Sequence, residues 1–256
     1  MNRIDERFKK LKEENKKALI PYICCGDPSV EDSEKLVYAL EEAGADIIEL
    51  GIPYSDPLAD GPVIQAAGLR AFAGGFRLED TFKIVKNVRK NSQIPLVIMV
   101  YYSSIIGFGK ENFVELCVDA DVDGLIVPDL PYEEYNELKT LLDKTNVYMI
   151  PLVALTSEDR IPMLVKESKG FVYCVSSLGV TGVRKEFDTR IDSFVAKVKE
   201  ATDTPACIGF GISTKADVER FDKIADGCIV GSAIVRKIFD SKMNIDEIKA
   251  FVSSLK

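Results

Sequence analysis

Eight short apolar runs punctuate the chain, each followed by a helical pattern or a turn-rich stretch. They occupy residues 19–24, 47–50, 96–100, 124–127, 147–153, 171–175, 206–210 and 227–230. The runs are continuous rather than alternating, as strands covered on both faces must be. Amphipathic stretches lie between them. Residues 29–43 follow Asp27-Pro28 and place Val30, Leu36, Val37 and Leu40 at helical spacing. Residues 79–91 carry Phe82, Val85 and Val88 on one face, with Ile84 beside them. Residues 191–201 carry Phe194, Val195 and Val198, and residues 218–224 repeat the pattern more briefly. Eight strand-and-return units fit a closed α/β barrel, the (β/α)8 TIM barrel, better than an open sheet. The length of 256 residues is near the usual size of one such barrel, and no Gly/Ser-rich linker divides it, so residues 1–256 read as a single TIM-barrel domain. The charged opening segment reads as an N-terminal amphipathic helix. The longest gaps follow the second and sixth runs. Loops after strands form the active-site face of a barrel, so long loops there read as lids.

Composition narrows the chemistry. The net charge of −8 comes from intermixed acids and bases with no basic stripe, which argues against nucleic acid as a partner. No apolar run can span a bilayer, and the opening residues lack a secretory apolar stretch, so the expected compartment is cytoplasmic, with no membrane association. Six cysteines form no C-x-x-C pair and read as buried free thiols rather than a disulfide framework or zinc site. There is no histidine at all, which removes Ser-His-Asp and Cys-His nucleophiles and His-ligated metals. No lysine stands at a strand end: Lys166 and Lys169 flank the sixth run on its entry side and Lys185 lies well into the next loop, which disfavours a Schiff-base aldolase.

Carboxylates remain. Residues 49–65 read ELGIPYSDPLADGPVIQ, in which Glu49 ends an apolar run and a Pro/Gly-punctuated loop with Asp56 and Asp60 follows. A rigid strand end holding one acid and a loop delivering another is a natural acid–base pair, because unlike surroundings push two carboxyl pKa values apart. Pattern alone does not rank Asp56 against Asp60. Glycines cluster after the last three runs, at Gly179–Gly182 (GVTG), Gly209–Gly211 (GFG) and Gly231-Ser232, the last opening a helix. Backbone N–H groups at such turns, with a helix N-terminus, point to a phosphate site. Tyr22, Val100, Tyr102, Val127 and Tyr173 are placed at the barrel mouth, an apolar lining suited to a flat ligand. Asp129, in VPDLPYEE, either orients a substrate hydroxyl or ties down a neighbouring loop.

At these residues the chain resembles the tryptophan synthase alpha subunit family. The resemblance runs through IPYICCGDPS, ELGIPYSDPLADGPVIQ, VYYSSIIGFG, GLIVPDLPYEE, GFVYCVSSLGVTG, IGFGIST and VGSAIV, and so spans nearly the whole chain. It implies a carbon–carbon lyase that cleaves indole-3-glycerol phosphate to indole and glyceraldehyde 3-phosphate in a retro-aldol reaction of tryptophan biosynthesis. It implies Glu49 as general acid/base and Asp60 as the group that bonds the indole N–H, with Thr181 bonding Asp60 in a closed lid. Tyr22, Val100, Tyr102, Val127, Asp129 and Tyr173 match substrate-facing positions, and Gly182, Phe210, Gly211, Gly231 and Ser232 match the phosphate side. No cofactor is expected in this chain. Pyridoxal phosphate is expected only in a beta-subunit partner, joined in an alpha2beta2 heterotetramer and fed indole through a tunnel. Val63, Ala66, Ser103-Ser104 and Ser177-Leu178 depart from the usual family residues and fall on lid and partner-facing loops. A stand-alone indole-releasing lyase and a non-catalytic phosphate-ester-binding regulatory barrel are the alternative readings.

Overall fold

The computed structural model describes residues 2–175, 190–209 and 211–256. Strands β1 (Ala18–Cys24), β2 (Ile48–Gly51), β3 (Leu96–Met99), β4 (Gly124–Ile126), β5 (Tyr148–Met149), β6 (Leu152–Ala154), β7 (Val172–Val175), β8 (Ala206–Gly209) and β9 (Gly227–Val230) pair in the order β5-β4-β3-β2-β1-β9-β8-β7-β6. Every pairing is parallel. The ends of this order, β5 and β6, are two halves of one barrel strand. Ile150 N–H donates to Leu125 on the β4 side at 2.8 Å, and Tyr173 N–H donates to the Pro151 carbonyl on the β7 side at 2.9 Å. The sheet therefore closes on itself as a (β/α)8 barrel. The run at 147–153, read from sequence as one strand, is cut by Pro151, which has no N–H to give a ladder.

The helices are α1 (Arg3–Glu13), α2 (Val30–Glu42), α3 (Pro62–Ala73), α4 (Leu78–Arg89), α5 (Tyr102–Phe108), α6 (Lys110–Asp119), α7 (Tyr135–Leu142), α8 (Ile161–Val165), α9 (Ile191–Ala201), α10 (Lys215–Phe221), α11 (Ser232–Asp240) and α12 (Ile245–Ser253). The long gap after the second strand is an irregular stretch, residues 52–61, followed by the additional helix α3. The segment after the sixth apolar run, residues 176–189, lies outside the described residues.

Strand side chains alternate between two layers, as a period of two requires. Leu19, Ile23, Ile48, Leu50, Leu96, Ile98 and Leu125 face the helices in one core. Ile20, Ile47, Val97, Ile126, Ile150, Phe171, Cys207 and Ile229 fill the barrel interior. Helix α1 closes the floor of that interior. Its Ile4, Phe8 and Leu11 are buried against it, and the Phe8 and Phe171 rings sit 6.2 Å apart. The helix is held there by its own cap. The Asn2 carboxamide oxygen accepts from Ile4 N–H at 2.8 Å, while its NH2 donates to the Asp123 and Asn146 carbonyls at 2.9 and 2.6 Å. All six cysteines are buried as free thiols.

A repeated device secures the barrel base. An aspartate just before a strand accepts the first free N–H of the neighbouring strand and is paired with bases. Asp46 takes Leu19 N–H at 2.7 Å, with Arg7 and Lys256 beside it. Asp123 takes Leu96 N–H at 2.8 Å, with Arg89 and Arg3. Asp226 takes Ala206 N–H at 3.0 Å, with Lys199 and Lys17. Each acid gains several charged or N–H partners, which is what makes the burial of Asp46 and Asp123 tolerable.

Candidate active site

At the opposite end, the strands' C-terminal ends and the loops that follow them enclose a cavity. It is lined by Tyr22, Glu49, Ala59, Asp60, Ile64, Met99, Pro128, Leu152, Tyr173, Gly211, Ile212, Ile229, Gly231 and Ser232. Glu49 and Tyr22 are register partners on β2 and β1, so one inward-facing layer carries both. Two glycines make room for the aromatic walls. A Cβ at Gly51 would lie 2.0 Å from the Tyr22 hydroxyl, and one at Gly209 would lie 2.4 Å from the Tyr173 hydroxyl.

Glu49 is 1% exposed, and neither carboxyl oxygen has a hydrogen-bond partner among the described residues. A buried carboxylate without partners is costly, and the group responds by keeping its proton. Burial, reinforced by the neighbouring charge of Asp60, pushes Glu49 up to about 8. At neutral pH it is a neutral acid facing an apolar cavity. Asp60 is less deeply set. Burial raises it to about 6, while a hydrogen bond from the Tyr101 hydroxyl to Oδ2 at 3.2 Å pulls the other way. Glu49 thus keeps its proton to higher pH than Asp60 does, the separation that divided acid–base work requires. Asp56, which the sequence left level with Asp60, is exposed and does not line the cavity.

On another wall, Gly231 caps α11 and Ser232 opens it. The first donors back into the helix are Ile234 and Val235, both to the Gly231 carbonyl. The N–H groups of Ser232 and Ala233 therefore stand at the helix mouth, where the helix dipole favours an anion. Gly211 adjoins them with φ of +88°, a conformation that glycine adopts freely.

The sequence expectations divide. Tyr22, Glu49, Asp60, Tyr173, Gly211, Gly231 and Ser232 share the one cavity. Val100, Tyr102 and Val127 do not line it. They pack in the helix-facing core, and Val127 also borders a neighbouring groove. Asp129 is exposed and accepts from Tyr102 N–H at 2.7 Å, which is the loop-fastening role. Thr181, Gly182, Phe210 and Ser177 lie outside the described residues. Met99, Leu152, Ile64, Pro128, Ile212, Ile229 and Tyr101 were not singled out from sequence. Alternation through β3 carries the signal for two of them: inward-facing Val97 is followed at steps of two by Met99 and Tyr101. Val100 and Tyr102 stand one residue off that alternation and pack toward the helices.

The model of the family described as the tryptophan synthase alpha chain matches residues 8–256. The chain belongs to the tryptophan synthase alpha chain family. It is 50% identical to the alpha chain of Thermoanaerobacter sp. (strain X514), covering 100% of this chain and 99% of that one. It is 47% identical to that of Clostridium beijerinckii, with full coverage of both. Among solved structures, it superposes on a chain from Aquifex aeolicus VF5 with a TM-score of 0.92 at 37% identity, covering 100% and 98% of the two chains. The match to a chain of Mycobacterium tuberculosis tryptophan synthase has a TM-score of 0.91 at 34% identity, covering 99% and 96%. The tryptophan synthase alpha chain family consists of lyases that cleave indole-3-glycerol phosphate in tryptophan biosynthesis. Among the described residues, no helix is long and apolar enough to cross a membrane.

Proposed function

We propose that Glu49 and Asp60 carry out the retro-aldol cleavage of indole-3-glycerol phosphate in this chain. Protonated Glu49 delivers its proton to indole C3. Ionised Asp60 accepts a hydrogen bond from the indole N–H and stabilises the cation that forms. The conjugate carboxylate of Glu49 then takes the proton of the adjacent glycerol hydroxyl. A C=O bond forms, the C–C bond breaks, and its electron pair returns to the ring as indole leaves. Glu49 ends protonated as it began, so the cycle needs no cofactor within this chain. Tyr22, Tyr173, Leu152 and Met99 flank the flat ring, and Gly211, Gly231 and Ser232 hold the phosphate at the mouth of α11.

The observation that carries this reading is a fully buried carboxyl group, without a hydrogen-bond partner among the described residues, in the same cavity as a second acid and a helix N-terminus. The test is indole release from indole-3-glycerol phosphate by the purified chain. Glu49→Gln is expected to abolish release while phosphate-ester binding persists, and Asp60→Asn to slow it by at least about tenfold, which is about 1.4 kcal/mol of transition-state stabilisation. Near-normal turnover in Glu49→Gln removes Glu49 from the chemistry.

The reading extends to a pyridoxal-phosphate-bearing beta subunit in an alpha2beta2 complex, and to residues 1–256 working as one barrel unit in the cytoplasm. Leu58, on the loop after β2, and Tyr132, in a 3-10 turn after β4, are large, exposed apolar side chains, and both border an apolar groove beside the cavity. A partner seated there covers the groove and sits where indole leaves. Turnover unchanged by added beta subunit favours the stand-alone lyase instead.

A further inference from the structure

Asp60 belongs to the irregular stretch 52–61, yet its carboxylate must stand in one place above the cavity. We infer that Tyr101 is the positioning residue that holds it there. The inference rests on the lyase reading of the site and extends it by one residue. The Tyr101 hydroxyl donates to Asp60 Oδ2 at 3.2 Å and accepts from Ala59 N–H at 3.0 Å, so one phenol grips the acid and the backbone beside it. The phenol is itself held. Its ring stacks on Tyr54 from the start of the same stretch, at 4.7 Å between centroids and 21° between planes. Its residue caps α5, whose first N–H, that of Tyr102, is fixed by Asp129 at 2.7 Å. The acid-bearing stretch, which leaves the barrel at β2, is thereby fastened to the end of β3.

The contact also governs charge. Asp60 faces Glu49 on β2, Tyr22 and Cys24 on β1, Tyr173 on β7 and Tyr101 at the end of β3. All of these are acids or neutral hydroxyl and thiol groups. Tyr101 is the one among them whose hydroxyl bonds to the Asp60 carboxylate. Among the described residues no other group opposes the burial that raises Asp60, so without this hydroxyl the acid stays protonated to higher pH and supports the indole cation less.

The experiment compares wild type, Tyr101→Phe, Asp60→Asn and the double variant, all as the full chain, by indole release across pH 5 to 9. Phenylalanine keeps the stacking on Tyr54 and removes only the hydroxyl. For Tyr101→Phe, kcat is expected to fall roughly tenfold with KM within about twofold, the pattern of an interaction made in the transition state. The acid limb of kcat/KM is expected to move to higher pH. In the Asp60→Asn background the same substitution changes kcat by no more than about twofold, because the residues act as a unit. An unmoved acid limb with unchanged kcat overturns the inference, and so does an equal loss in both backgrounds, which signifies a role in loop structure alone. A parallel carbon NMR titration of labelled aspartate, assigned with Asp60→Asn, separates this question from the lyase reading. If the wild type releases no indole, the lyase reading fails, whereas the position of Tyr101 is still decided by whether Asp60 titrates higher in Tyr101→Phe.

Discussion

Glu49 illustrates how a single burial does chemical work. Its ordinary value of 4.5 rises to about 8 because the folded chain gives the charged form neither water nor, among the described residues, a hydrogen-bond donor. The same burial has a consequence for stability. The folded chain holds this proton more tightly than the unfolded chain does, so the group's contribution to stability is full below pH ~4.5. It drains at up to ~1.4 kcal/mol per pH unit as pH climbs toward the folded value of about 8. Glutamine at this position cannot titrate. Glu49→Gln is therefore expected to gain stability relative to wild type as pH rises from 5 to 8, widening the Tm difference by several degrees in parallel thermal melts. A Tm difference independent of pH would show that Glu49 is ionised when folded.

At the scale of the element, the strand ends set the cavity's shape through what they leave out. Gly51 stands two residues beyond Glu49 on β2, and a Cβ there meets the Tyr22 hydroxyl at 2.0 Å and its ring at 2.4 Å. Gly51→Ala is expected to push Tyr22 across the indole position and to lower kcat/KM by at least about tenfold, with overpacking costing about 1–3 kcal/mol of stability. Wild-type kinetics in that variant would mean that the Tyr22 ring is not a wall of the site. Strands were legible in the sequence because continuous apolar runs allow little else between helical returns. Their last residues were not. Where β3 passes into α5, Val100 and Tyr102 are as apolar as Met99 and Tyr101, and only the alternation decides which pair faces in. Pro151 breaks an apolar run that otherwise reads as one strand, and α3 is hidden because its apolar residues Ile64, Ala67 and Ala71 follow a loop rich in turn signals. Glu49 and Asp60 were legible together only through the family resemblance; spacing alone left Asp56 level with Asp60.

The whole molecule divides its labour between two ends. The base carries the paired aspartates and the α1 plug, while the mouth carries Glu49, without a partner among the described residues, and the open end of α11. The paired aspartates at the base have their hydrogen bonds and serve stability, whereas Glu49 at the mouth has none among the described residues and serves chemistry. Phe8→Ala, which hollows the plug beneath Phe171, is expected to cost ~3 kcal/mol, or a Tm loss of roughly 6–12 °C, while kcat and KM stay within about twofold of wild type. A large change in KM at unchanged stability would show that the two ends are coupled.

The most direct measurement is the ionisation of Glu49 itself, by infrared difference spectroscopy of wild type against Glu49→Gln through a pH titration. The carboxylic C=O band assigned to Glu49 should persist at pH 7 and vanish with a midpoint near 8, in step with the alkaline limb of indole release, the acid limb lying near 6 where Asp60 ionises. A Glu49 already ionised at pH 6 would contradict the proton donor on which the proposed cleavage depends.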